Sequence, residues 1–155
     1  MKKHLTILAI LFSIFSHSQM KKTINKIFDA TALQTGYAYF GKNYGYIGFD
    51  KRIDPENDWI YINIGAGSYI SNLDSKLEFV PEIHTNYTAL ILMGEISLTT
   101  KAVNPSIGIN LLNAAKLKIG YNYSYNSQDF RGTSFAININ IGDKDYHHLP
   151  SMKFW

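Results

Sequence analysis

The chain contains no cysteine. That excludes disulfides, thiolate metal sites and a lipid-bearing N-terminal cysteine. Charge is also scarce: charged residues make up 17% of the chain, against about a quarter in an ordinary globular domain. No basic patch interleaved with aromatics occurs, so nucleic acid is not an expected partner. The net charge of +3 belongs partly to the N-terminus, since removing residues 1–18 removes Lys2, Lys3 and no acid, leaving +1. Long apolar runs are missing as well. The stretch Leu5–Phe15 is too short to cross a bilayer as a helix, which needs about 20 apolar residues.

The short apolar run has a different use. Lys2, Lys3 and His4 precede it, and Ser16-His17-Ser18 places small residues after it. This is the order of a secretory signal peptide, with cleavage expected before Gln19 or Met20. A retained anchor and a buried helix are the alternatives. Residues 19–33 form a lead-in, read either as a short helix with a stripe of Ile24, Ile27, Phe28 and Leu33 or as an extended approach to the first strand.

From residue 34 to residue 142 the pattern is strand after strand. The stretch Ala115–Gly142 shows it best. Leu117, Ile119, Tyr121 and Tyr123 alternate with Lys116, Lys118, Gly120 and Asn122; Phe135, Ile137, Ile139 and Ile141 alternate with Ser134, Ala136, Asn138 and Asn140. Successive strand side chains point to opposite faces, so each run has one apolar and one polar face. Eight such strands are expected: Gln34–Phe40, Tyr44–Asp50, Trp59–Ser71, Lys76–His84, Tyr87–Thr99, Ser106–Leu112 and the two runs of Ala115–Gly142. Pro81 is expected to put an irregularity in the fourth, and Thr100–Pro105 reads as a loop. The connections are too short for crossover helices. The expected fold is all-β, an eight-stranded antiparallel up-and-down meander barrel, followed by a tail at 143–155.

The polar faces carry Asn, Ser and Gly where a water-exposed face would carry Lys and Glu. Small polar residues suit the crowded interior of a narrow barrel whose apolar face meets lipid. Trp59, Tyr61, Tyr69, Tyr87, Tyr123 and Tyr125 lie near strand ends, as interfacial aromatics do, although Tyr is also simply a good strand residue. The rival orientation is a secreted soluble barrel with the apolar face lining a cavity for a small apolar ligand.

With its export signal, even strand count, alternating faces and closing SFAININIG (Ser134–Gly142), the chain resembles small eight-stranded bacterial outer-membrane barrel proteins, in particular uncharacterised ones of Bacteroidetes-type bacteria. The resemblance implies a monomer in the bacterial outer membrane, with membrane lipid and the barrel-assembly machinery as partners and a structural or accessory role. One departure is the terminal aromatic: Trp155 stands thirteen residues beyond Gly142.

Glu95 sits mid-strand on a polar face, where an unpaired charge is costly. Lys116 and Lys118 share that face two strands on, with Asn110 on the strand between. These four form the candidate luminal network, with Glu95–Lys118 as the expected ion pair and a structural plug as its expected role. No catalytic residue, metal site or cofactor is assigned. Ser134, His84 and Glu95 could be named for a lipid-acting hydrolase or acyltransferase, but nothing in their spacing joins them. His84 is expected at a turn. His147 and His148, with Asp143 and Asp145, read as a solvated tail rather than a metal cluster. The sequons at Asn86 and Asn122 fall in strands and read as chance.

Overall fold

Eight strands close into an antiparallel barrel in simple chain order, with β1 paired to β8. A computed structural model describes residues 29–53, 59–73, 76–125, 130–142 and 144–147. The strands are β1 (Thr31–Tyr39), β2 (Asn43–Arg52), β3 (Ile60–Leu73), β4 (Lys76–Ala89), β5 (Leu92–Thr99), β6 (Ala102–Leu111), β7 (Ala115–Ser124) and β8 (Gly132–Gly142). A single helical turn, α1 (Lys144–His147), follows. The signal-peptide reading, most of the lead-in and Trp155 lie outside the described residues.

The alternation in sequence becomes an alternation in space. Along β8, Phe135, Ile137, Ile139 and Ile141 are exposed while Ser134, Ala136, Asn138 and Asn140 are buried. The same parity holds around the barrel, so the large aliphatic side chains face outward and the polar ones fill the lumen. Ile139 and Ile141 are 53% and 62% exposed on the outer face.

Several boundaries differ from the sequence reading. The lead-in is extended by residue 31, because Thr31 pairs with β2 and Ala32 and Leu33 pair with both β2 and β8. Tyr87–Ala89 belong to β4, and the chain turns at Leu90, whose φ of 60° marks a left-handed turn residue. Pro81 makes no bulge. The β3–β4 register runs unbroken through Ser68↔Pro81, and β5 begins to pair only at Glu82, so β4 at Pro81 has a side with no ladder to break. Pro105 lies inside β6 rather than in a loop. The β6–β7 ladder skips from Val103↔Tyr123 to Ser106↔Gly120 around it, and the true turn is held by Thr99, whose hydroxyl accepts from the Lys101 and Ala102 amides at 3.1 and 2.9 Å.

Candidate functional site

An eight-stranded barrel is wide enough only for side chains to fill it. The lumen is built in three zones. At the end remote from the termini, Phe40, Tyr44, Tyr46, Tyr69 and Phe130 stack as an aromatic plug, with Phe40–Tyr69 ring centroids 4.7 Å apart and edge-on. This is the apolar part of the interior, and it comes from the inward parity of β1, β2 and β3 with Phe130 added from the segment before β8.

The middle zone holds the charges. Lys118 Nζ donates to Glu95 Oε1, the ion pair expected across the lumen. Lys116, one inward position earlier on β7, reaches across the barrel and donates to Asp50 Oδ2. Asp50 and Lys116 side chains are both 0% exposed. Asp50 also faces His84: Asp50 Oδ1 lies 3.3 Å from His84 Nε2, and the other ring nitrogen lies 3.8 Å from Glu82 Oε2. Glu82 accepts in turn from the Tyr69 hydroxyl at 3.0 Å, which ties the charged zone to the aromatic plug. The approach of His84 to Asp50 depends on Gly65. Asp50, Gly65 and His84 occupy one row of β2, β3 and β4, and a Cβ on Gly65 would occupy the space of the imidazole ring. Glycine here is a matter of close approach.

The third zone closes the end near the termini. Asn113, in the β6–β7 connection, accepts from Asn63 and Asn110 through Oδ1 and donates from Nδ2 to the Tyr146 carbonyl. Tyr146 is 0% exposed, and its hydroxyl donates to Asp50 Oδ2 at 2.7 Å while accepting from Asn140 Nδ2 at 2.9 Å. Burial, and then the Asp50 carboxylate beside it, raise the Tyr146 phenol well above its usual range. The tail is therefore not simply solvated: α1 turns back onto the barrel end and places one tyrosine inside it.

The four residues of the candidate network are all inward and buried. They do not form one cluster. Asn110 donates to Thr88 and Asn113 in the terminal zone, and Lys116 pairs with Asp50 rather than with Glu95. His84 lies in the middle of β4, not at a turn. Ser134, His84 and Glu95 are not assembled: the Ser134 hydroxyl accepts from Asn104, His84 faces Asp50 and Glu82, and Glu95 is held by Lys118. His147 accepts from the Gly142 amide at 3.2 Å, and no cluster of metal-ligating side chains occurs among the described residues.

Asp50, Glu82 and Tyr146 were not singled out by the sequence reading. Asp50 has the parity of Tyr44, Tyr46 and Gly48 and closes the expected strand Tyr44–Asp50, so alternation alone assigns it to the inner face. Tyr146 had no such signal, because its place depends on how α1 turns back. A cavity of about 10 Å³ remains beside Tyr69, Asn104 and Lys118, room for about one water. Comparison with protein-family models, with curated proteins and with solved structures gives no match to this chain.

Proposed function

We propose that this chain is an outer-membrane barrel whose role is structural or accessory rather than catalytic, with a lumen plugged by its own side chains. The observation that carries this reading is the inversion of polarity. The barrel turns Ile, Leu, Phe and Tyr to the outside and keeps Asp50, Glu82, Glu95, Lys116 and Lys118 inside. A closed sheet leaves no unpaired edge, so it can meet hydrocarbon on its whole outer surface. Strands of 8 to 14 residues bracket the length of about 9–11 that crosses a bilayer when tilted. The paired charges and the aromatic plug argue against free passage of solutes, and the two-residue turn at Leu90-Ile91 offers little surface to a partner.

The test is fractionation with heat-modifiability. The expressed full chain is extracted from membranes with detergent and run on a denaturing gel with and without boiling. Recovery in membranes and a faster-migrating unboiled band support the reading. Recovery of a folded barrel in the soluble fraction without detergent overturns it. Liposome conductance is expected to stay at background for the wild type.

A further inference from the structure

The chain has no cysteine, so a covalent tie between its strands would have to come from other side chains. The lumen brings a suitable set together. Lys116 on β7 and Asn138 on β8 are direct cross-strand partners on the inner face, and they are 0% and 1% exposed. Side chains opposed in this way stand about 4.5–5.5 Å apart at Cβ. Lys116 reaches on to the Asp50 carboxylate on β2. Between β7 and β2 lie β8 and β1, so the lysine amine is carried past the inner side of β8, where Asn138 stands.

Asn138 is itself anomalous. Asn104, Asn110, Asn113 and Asn140 are all hydrogen-bonded in the lumen, whereas neither amide atom of Asn138 has a partner. An unpaired buried amide requires a reason. Its seat is nonetheless provided for: Gly36, its partner on β1, leaves space where a Cβ would overlap Asn138 Oδ1. Among the described residues one other buried asparagine, Asn86, has neither amide atom paired, and it stands between Asn63 and Glu95, with no amine beside it.

An amine, a carboxamide and a carboxylate shielded from water are the parts of an amide exchange. We propose that Lys116 and Asn138 join in an intramolecular isopeptide bond, with Asp50 as the base. Asp50 takes one proton from the Lys116 ammonium, and the freed Nζ pair attacks Asn138 Cγ, pushing the carbonyl pair onto Oδ1. When that pair returns, the Cγ–Nδ2 bond breaks. Nδ2 leaves as ammonia, with a proton relayed from Nζ through Asp50. One C–N bond forms and one breaks, nothing is oxidised or reduced, and Asp50 ends with the proton that Lys116 first gave up. Burial keeps water from competing for Cγ. The product welds the β7–β8 hairpin beside the β8–β1 seam. The inference rests on luminal packing and goes beyond the membrane reading without depending on it.

The full chain is folded in detergent, checked for the unboiled gel shift, then denatured, digested with trypsin and measured by mass spectrometry. An unlinked chain gives 102–116 and 132–144 as separate peptides. The expected product is one branched peptide joining 102–118 to 132–144, lighter than their sum by one ammonia, because trypsin does not cut after an acylated lysine. A chain held in urea and never folded should give only separate peptides. Folded Lys116→Arg and Asn138→Ala should give no branched peptide, and Asp50→Ala should form it about a hundredfold more slowly. Separate peptides alone from the folded wild type overturn the proposal, as does a branched peptide from Asn138→Ala or from the unfolded chain. A product lighter by one water that joins 102–118 to 43–51 also overturns it, since Asp50 would then be the acceptor. An undiminished rate in Asp50→Ala overturns the role of Asp50.

Discussion

The Tyr146 hydroxyl donates to the Asp50 carboxylate at 2.7 Å across the terminal end of the lumen, joining residues 96 positions apart in the chain. Asp50 takes Lys116 on the same oxygen and His84 on the other. One buried carboxylate thus receives the C-terminal tail, β4 and β7 together. This arrangement makes the tail part of the barrel's charge balance. A buried carboxylate must have its lone pairs satisfied or it destabilises the fold.

Tyr146→Phe keeps the ring and removes the donor. A hydrogen bond to a buried charge contributes about 1.5–3 kcal/mol, so the variant should unfold at lower denaturant by that amount. The pH dependence has a definite sign. The folded phenol ionises at higher pH than the unfolded one, so its contribution is fully present below the ordinary tyrosine value of 10.0 and is lost as pH rises above it. Denaturant titrations at neutral pH and above pH 10 should therefore show a smaller alkaline loss in Tyr146→Phe than in the wild type.

Glu95→Gln removes one member of a fully lumen-facing ion pair and strands Lys118. Breaking such a pair from one side costs about 3–5 kcal/mol. The double variant Glu95→Gln/Lys118→Met should recover much of that loss, because it removes the orphaned charge as well. A double-mutant cycle in urea measures the coupling. Additive effects of the two changes would mean that the pair contributes nothing as a pair.

Gly65→Ala and Gly94→Ala differ by one methyl in opposite places. At Gly65 the new Cβ meets the His84 ring and the Phe49 carbonyl; at Gly94, on the outward face, it meets nothing within 4 Å. The first should destabilise by about 1–3 kcal/mol through overpacking. The second should stay within about 0.5 kcal/mol. Urea midpoints on the two variants, run side by side, check the difference.

Ile139→Arg distinguishes a lipid-facing wall from a water-facing one. Ile139 is outward, with Ala115 on β7 and Thr35 on β1 directly beside it and Ile137 and Ile141 along its own strand. In a bilayer, arginine on the lipid-facing wall costs up to about 2–4 kcal/mol, the figure falling toward the rim, so folding yield into vesicles should fall. In water the same change would improve solubility and leave stability nearly unaltered.

The barrel was legible because its information is local. A period of two, repeated through Leu117–Tyr123 and Phe135–Ile141, assigns each side chain a face without reference to any other strand. Short connections then leave only antiparallel neighbours. Strand ends were less legible, because Pro81 and Pro105 read as interruptions in one dimension and are accommodated by neighbouring strands that end or lose pairing beside them. Glu95–Lys118 was within reach of parity and strand order. Asp50 was within reach of the same parity, as the last residue of the expected second strand, and Tyr146 was not reachable at all.

Composition and alternation by themselves determined an eight-stranded meander with one polar and one apolar face, since face assignment needs only backbone geometry. Only the closed structure decided which partners meet across the lumen. Lys116 finds Asp50 rather than Glu95, and Tyr146 enters the barrel end. Those pairings depend on strand tilt and register summed around the barrel and on where a glycine such as Gly65 leaves room, quantities that no single strand carries.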